Sequence, residues 1–548
     1  MRLHTSLLIV AFRQWSLSWQ GRCGFVVWPQ AFGDGGWQVR ISAGSFEDAL
    51  RDYFPRGLEK LRDFATSARW ATYEETTSPN WRYGSTVGMM FLGYRGDVPI
   101  GRRDDRHQTT IGGSRGFKGV SLINPCLITY EGSVLAIDPK GELARLTVPA
   151  RIKRLRQDCY VLDPFGESGV PSFSFNPLAE IKEYVPELPK VRYPYAVDDA
   201  ASMADALIVP SGNDAHWTDS AKILLHALIL LTLAQEQTED FPDDRNLVTV
   251  RDFLMLKHGA VLHDASVSTD FPNNREVALF RLMEQCTAFD GLVSGVGAAF
   301  LSMSEKERAS ILSSARTQTA FLDSPALQSV LQKSDFSLAD LKRKATTVYL
   351  CLPASYMGTH SKWLRTIITL AVRACEREKV AWKHPSNGKP IPVLFVLDEF
   401  AVLGHMRAIE AAAGQMAGFG VKLWVILQDL GQLQTHYEKS WETFFGNSAI
   451  ATFQSISDLT TLKYLSERLG TRTFYMPIDS GVGVRAKMDG AKSENETVQT
   501  APLLATHEIE YALARERGAM IVLFSGMHPL ILQRAISYAD PFFTERLK

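Results

Sequence analysis

Cysteine is scarce and unpatterned in this chain. Its six residues, Cys23, Cys126, Cys159, Cys286, Cys351 and Cys375, are scattered over 548 positions with no C-x-x-C pair. That excludes a disulfide scaffold and a thiolate zinc module, and it reads as reduced thiols in a cytosolic compartment. A charge excess of either sign is also missing. Lys and Arg number 59 and Asp and Glu 60, for a net charge of -1. A globally basic nucleic-acid coat is excluded, while a local basic patch is not. Long apolar runs are lacking too. Leu7 to Phe12 is stopped by Arg13, and Ile223 to Ala234 carries His226. A spanning helix needs roughly 20 apolar residues. The first run reads as a buried strand or short helix, since no small-residue cleavage site follows. The second reads as a core helix. No histidine pair has metal-ligand spacing, and His216 beside Trp217 reads as a helix-start residue. No Ser-His-Asp or Cys-His order stands out, and there are no internal repeats.

What is present is the composition of a folded protein, 45% apolar and 22% charged. The length suggests about three or four domains. Residues 1–65 are Trp- and Gly-rich, with strand-like pieces at Gly24–Trp28 and Trp37–Ile41 and no assignable fold. Short apolar runs at Val134–Ile137 and Tyr160–Leu162 each end in Asp-Pro, as buried strands with an acidic turn. Residues 196–335 lack strand alternation and read as an all-α module. Strands return at Thr347–Leu352, Val393–Leu397, Lys422–Leu427, Ile450–Phe453 and Met520–Phe524, with helices such as Ser361–Glu378 between them. Alternating strands and helices predict an α/β fold with a parallel sheet. The expected domains are therefore 1–65, 66–195, 196–335 and 336–548, with a mobile loop over 479–500.

Three segments carry chemistry. Gly112, Gly113, Ser114, Arg115, Gly116, Phe117, Lys118 and Gly119 form a glycine-rich loop with a lysine, followed by the apolar stretch Val120–Ile128. A phosphate-binding loop needs glycines so that backbone N–H groups point inward. It also needs a lysine for the β and γ phosphates and a helix N-terminus facing the anion. The standard pattern is not met, because Phe117 stands where a glycine precedes the lysine and Gly119 replaces the Mg²⁺-binding hydroxyl. Val393 to Leu397 ends in Asp398-Glu399, the layout in which a strand delivers one carboxylate to Mg²⁺ and places another to activate water. Lys422 to Leu427 ends in Gln428, suited to sensing a γ phosphate. Three strand or loop ends on one sheet edge would meet a single ligand. Two basic clusters, Arg151-Ile152-Lys153-Arg154-Leu155-Arg156 and Lys342-Arg343-Lys344, read as solvated faces, the first also as a possible nucleic-acid contact. Asp138, Lys140 and Glu142 suit a salt-bridged turn or a subunit interface.

These motifs resemble those of the type IV secretion coupling proteins of the TraG/TraD type. The resemblance is carried by Thr66–Ala71, the Gly112–Gly119 loop with Val120–Leu127, and Gly132–Leu143 around Asp138-Pro139-Lys140-Gly141-Glu142. It continues through Trp217–Ala221, Leu397–Gly404, Gly418–Leu430 and Pro502–Leu504, spanning about 66 to 545. It implies a RecA-like P-loop NTPase with an inserted all-α domain and a homo-hexamer with ATP and Mg²⁺ between subunits. Lys118 and the loop would hold phosphates, Asp398 the metal, and Glu399 and Gln428 the reaction. The implied task is passing single-stranded DNA, or a relaxase–DNA complex, to type IV secretion channel proteins at the cytoplasmic face of the bacterial inner membrane. Gly119 is common in the family's secretion branch. Phe117 departs from the pattern, because it obstructs the loop or demands a strained φ if the site needs a positive value. The family's membrane anchor has no counterpart in residues 1–65, so a cytoplasmic location is the alternative. No arginine lies just before the glutamine strand, where Lys422 is the nearby cation. Two further readings stand beside the motor. One is a non-hydrolysing substrate receptor on the same fold; the other is a helicase or DNA pump unrelated to secretion.

Overall fold

The computed structural model describes residues 28–32, 36–40, 67–183, 185, 188, 190–209, 215–235, 245–258, 274–477 and 496–548. The Leu7–Phe12 run, the Gly24–Val27 part of the first strand-like piece, Thr66 and most of the 479–500 loop lie outside them. A hairpin pairs β1 (Trp28–Phe32) with β2 (Gly36–Arg40). Then follow β3 (Met90–Arg95), β4 (Val98–Arg102), β5 (His107–Gly112), β6 (Val134–Asp138), β7 (Asp158–Leu162), β8 (Thr346–Cys351), β9 (Val393–Leu397), β10 (Val421–Leu427) and β11 (Ser448–Gln454). The last four are β12 (Thr471–Pro477), β13 (Glu496–Pro502), β14 (Ala519–Phe524) and β15 (Leu530–Gln533).

Eleven strands form one sheet in the order β4-β3-β15-β14-β11-β5-β10-β9-β6-β8-β7. From β7 to β11 all neighbours are parallel. The expected parallel sheet is there, with antiparallel strands added at one side. β14, read from the Met520–Phe524 run, is antiparallel to β11, and β15, β3 and β4 continue antiparallel. The β14–β15 and β3–β4 links are too short for the crossover a parallel pair requires. One correction concerns the 479–500 loop, whose last residues belong to β13, paired with β12.

Before β10 the longer helices are α1 (Gly119–Thr129) after β5, α2 (Glu142–Lys153) after β6, and a group between β7 and β8. That group is α3 (Ala196–Leu207), α4 (Ala215–Ala234), α5 (Leu247–Leu254), α6 (Asn274–Gln285), α7 (Leu292–Ser302) and α8 (Glu305–Gln318). α9 (Ala354–Arg377) follows β8, and α10 (Arg407–Gln415) follows β9. α4 is long and apolar enough to span a bilayer by length and composition alone. However, Ala221, Leu224, Leu225, Leu228, Ile229 and Leu230 are fully buried in the main core, which makes it a core helix.

Both basic clusters contain buried members. Arg151 is fully buried, with Nε donating to Thr347 Oγ1 at 2.6 Å and Nη2 donating to Gly132 O at 2.9 Å and Gln157 Oε1 at 2.7 Å. It staples α2 to the sheet and cannot reach nucleic acid. Lys342 donates to Cys375 O at 3.0 Å and to Glu378 O at the end of α9. Charge-assisted hydrogen bonds to carbonyl and side-chain oxygens hold both cations inside the fold.

β5 is the central strand and the one least visible in the sequence, because its first four residues are polar. All six of its residues are buried. Thr109 and Thr110 pair with Ser448 and Thr452 on β11 at 2.9 and 2.6 Å, and Trp424 Nε1 donates to Thr110 Oγ1. His107 Nδ1 accepts from Leu423 N at 3.1 Å, so Nε2 carries the proton towards Ala412 O at 3.3 Å. A second ring proton has nowhere to go, and burial pushes the imidazole down to about 4. The folded pKa lies below the unfolded one, so this stability is present above the ordinary histidine value and is lost as pH falls from about 6.5 to about 4. The span corresponds to something on the order of 3 kcal/mol. Urea midpoints at pH 7 and pH 5 should fall steeply for the wild type and more shallowly for His107→Gln. Parallel pH slopes would contradict this.

Candidate active site

The C-terminal ends of β5, β10, β9 and β6 bring Gly112, Gln428, Asp398 and Asp138 to one edge of the sheet. The register sets this: Leu427 pairs with Ile111, Val425 with Leu397, and Ala136 with Val396. Lys422 is at the opposite end of β10, roughly 20 Å away at a strand's rise per residue. It is buried and donates to Asp104 O at 3.2 Å, so it does not serve the site.

The glycine-rich loop turns tightly against the residues after β11. A Cβ at Gly113 would lie 2.3 Å from Ser455 O, and one at Gly116 2.8 Å from Gly113 O and 2.9 Å from Ser455 Cβ. A Cβ at Gly112 would lie 3.0 Å from Lys118 Cγ and 3.1 Å from Gln454 Cγ, and one at Gly119 would meet nothing within 4 Å, so contact forces Gly113 and Gly116, crowds Gly112 and leaves Gly119 free. Gly113 N donates to Ser455 O at 3.1 Å, and Gln454 Nε2 donates to Gly116 O at 3.2 Å. α1 opens on a π-helical turn, Gly119–Ile123, before becoming α-helical. Ser114 and Arg115 are exposed. Lys118 Nζ rests on Gly112 O and, at 3.4 Å, on Gly113 O.

Phe117 has φ +66, the left-handed value that favours glycine. Its ring lies 4.5 Å from the Arg515 guanidinium and 5.9 Å from that of Arg534. Arg534 is buried and donates to Gly116 O at 2.9 Å, to Ser455 Oγ at 3.1 Å and to Arg515 O. Sequence reasoning missed Arg534, Arg515, Gln454 and Ser455. They lie hundreds of residues from the loop, and no motif marks them. Phe117→Gly removes roughly 1 kcal/mol of left-handed strain and a cation–π contact of similar size. Its thermal midpoint should stay near that of the wild type. Phe117→Ala keeps the strain and loses the ring, so it should melt lower than both. An alanine variant as stable as the glycine one would show that the ring contributes nothing.

Asp398 and Glu399 follow β9, with Glu399 at φ +51 in the turn before Phe400–Leu403. Burial and the neighbouring Glu399 push Asp398 up to about 6, and Lys118 opposes the shift. Burial also lowers the Lys118 amine, with Asp398 and Glu399 pulling it back. These three side chains therefore act on one another. Gln428 Nε2 donates to both Glu399 carboxylate oxygens, at 3.1 and 3.0 Å. Asp138 adds a weaker upward push on Asp398, and its own carboxylate accepts from Ala144 N at 2.8 Å. Backbone amides hold it, so of the two readings, a salt-bridged turn or a subunit interface, the turn is present but is built on amides and not on an ion pair with Lys140.

This donor set suits Mg²⁺ with a nucleotide. Among the described residues no cluster of three or more His, Cys, Asp and Glu side chains could cage a metal. Mg²⁺ needs no such cage, since it takes one or two carboxylates and completes its shell with phosphates and water. Asp398 would supply the carboxylate, and the glycine cradle with Lys118 would supply the phosphate side.

A family model described as type IV secretory system conjugative DNA transfer matches residues 65–548. The type IV secretion system-coupling protein VirD4 of Bartonella henselae is 25% identical over 514 residues, covering 92% of this chain and 73% of that protein. VirD4 of Bartonella quintana is 26% identical, over 79% of this chain and 63% of its own. A conjugal transfer protein TraG of Escherichia coli is 26% identical, over 80% and 68%. The chain thus spans between 63% and 73% of the length of these relatives. Among solved structures, unbound bacterial conjugative coupling protein TrwB aligns at TM-score 0.60 with 14% identity, over 87% of this chain and 94% of that one. TrwB in complex with ADP and Mg²⁺ aligns at 0.58 with 14% identity, over 87% and 94%. The shared fold is a RecA-like P-loop NTPase with a helical domain.

Proposed function

This chain belongs to the type IV secretory system conjugative DNA transfer family, and we propose that it is an ATP-driven coupling protein that passes DNA, alone or with a bound relaxase, to a secretion channel. The observation that carries this reading is the meeting of Lys118, Asp398, Glu399 and Gln428 at one sheet edge. The loop of Gly112, Gly113, Ser114, Arg115, Gly116, Phe117, Lys118 and Gly119 binds the phosphates through the Lys118 amine and through backbone N–H groups other than those of Gly113 and Gly116, which donate to Ser455 O and Gly113 O. Asp398 would hold Mg²⁺, and the ion would supply charge neutralisation to the phosphates when bound. Glu399 orients and deprotonates the attacking water. Gln428 holds the Glu399 carboxylate in the resting site and senses the γ phosphate.

The working form is a homo-hexamer at the cytoplasmic face of the inner membrane, in contact with channel proteins. Family membership supports this assembly and location, and TrwB, solved with ADP and Mg²⁺, supports the choice of nucleotide. Purified chain should hydrolyse ATP in a Mg²⁺-dependent manner, faster when single-stranded DNA is present. Absence of turnover under both conditions would return the receptor reading. That reading rests on Phe117 and predicts that Phe117→Gly creates activity where the natural chain has none.

A further inference from the structure

The helical group between β7 and β8 touches the rest of the molecule largely through α9. One face of α9 carries Arg365, Thr369, Arg373 and Arg377 at four-residue spacing, the repeat that stacks side chains along a helix. Arg373 and Arg377 both engage Asp199 of α3, at 2.6 to 2.8 Å, and Asp199 is buried. Arg365 does something different. It is 5% exposed. Its Nε donates to Ala206 O, near the end of α3, at 3.0 Å. Its Nη1 donates to Leu403 O and, at 2.8 Å, to His405 O.

Leu403 and His405 lie four and six residues after Glu399. Leu403 closes the short helical turn that begins there, and Val402 N donates to Glu399 O at 2.9 Å. Beyond it, Met406 N donates to Tyr437 Oη at 3.3 Å, and the Tyr437 ring stacks on Phe400 at 5.7 Å. The turn that holds Glu399 in its left-handed conformation is therefore braced on one side by Phe400 and Tyr437 and on the other by Arg365. Beside Arg365, α3 and the 406–416 segment are not packed solid. An open groove of about 480 Å³ runs between them, lined in part by Asp205, Arg373, Met406 and Gln415. α3 has room to shift there, and Arg365 spans the boundary.

We propose that Arg365 is a positioning residue that couples the helical domain to hydrolysis, because one guanidinium grips a carbonyl of α3, the Leu403 carbonyl that ends the turn starting at Glu399 and the His405 carbonyl just past it. A planar fork with five donors can bond in two directions at once. A lysine amine gathers its three donors at one point and lacks the fork that here reaches α3 from Nε and the turn from Nη1. Load on the helical domain moves α3, and through Arg365 it moves Glu399 relative to the attacking water. A misplacement of that kind far from the chemistry can cost up to about 100-fold in rate. This inference rests on the hydrolytic role proposed for Glu399.

The test compares ATP turnover by full-length wild type, Arg365→Lys and Arg377→Lys, with and without a single-stranded oligonucleotide. Affinity for a non-hydrolysable ATP analogue is measured alongside. Arg365→Lys should keep analogue affinity and KM within about twofold, lower kcat at least about tenfold and lose the response to DNA. Arg377→Lys contacts α3 and not the turn, so it should keep basal kcat. An Arg365→Lys protein whose basal and stimulated rates fall in the same proportion, or do not fall, overturns the proposal. Hydrogen exchange of the amides of 203–208 in the wild type is a second readout that needs neither turnover nor a variant. Their protection should change when the analogue and Mg²⁺ bind, and unchanged protection also overturns the coupling. A wild type that never hydrolyses ATP but shows the exchange change would refute the proposed function while leaving the Arg365 link in place.

Discussion

Glu399→Gln binds ATP as tightly as the wild type and turns it over on the order of 1000-fold more slowly; this is the largest kinetic effect expected of any single change in the chain. The substitution keeps shape and removes the base. Glutamine occupies the left-handed turn position, φ +51, with no more difficulty than glutamate does. The Gln428 amide, now 3.0 to 3.1 Å from both carboxylate oxygens, retains one oxygen to donate to. Lys118 and Asp398 are untouched, so phosphate and metal contacts survive. Steady-state turnover alongside equilibrium binding of a fluorescent ATP analogue separates the two properties. Equal turnover in both proteins would remove Glu399 from the chemistry.

Lys118→Ala produces the opposite pattern, with nucleotide affinity falling about 100-fold while the nucleotide-free protein loses little or no stability. A charge-assisted hydrogen bond to phosphate is worth about 1.5–3 kcal/mol. Without nucleotide, the amine is half-buried and held by loop carbonyls, and burial already lowers its pKa. Deleting it relieves a desolvated charge and gives up only local bonds. Removing it also deprives Asp398 of the group that opposes its upward shift, so Mg²⁺-dependent binding should fail at a higher pH than in the wild type. Isothermal titration with the analogue and a urea melt of the free protein check both halves. A large stability loss with normal affinity would make Lys118 a structural lysine.

β9 and β10 were readable in the sequence because each is an apolar run ending in polar residues, and parallel strands buried on both faces have that signature. β5 was not, although it leads into the glycine loop. Its His-Gln-Thr-Thr start is polar, and its burial depends on hydroxyl pairs with β11 that only the sheet order supplies. Phe117 was legible as a departure and as a demand for positive φ. Its engagement with Arg515 and Arg534 was not, since those residues come some 400 positions later. The same holds for Arg151, which looks like one of four solvated cations until the carbonyls of Leu127 and Gly132 are seen around it. Local pattern reveals which residues carry charge or flexibility. Which of them are spent inside the fold depends on long-range pairing, as Arg365 also shows.

The most direct measurement is a structure of the chain with a non-hydrolysable ATP analogue and Mg²⁺. The triphosphate should lie against the loop of residues 113–119, with the Lys118 amine moved off Gly112 O onto phosphate, Asp398 on the metal side and Gln428 released from Glu399. A triphosphate bound elsewhere, or a Lys118 still seated on the loop carbonyls with nucleotide present, would contradict the site described above.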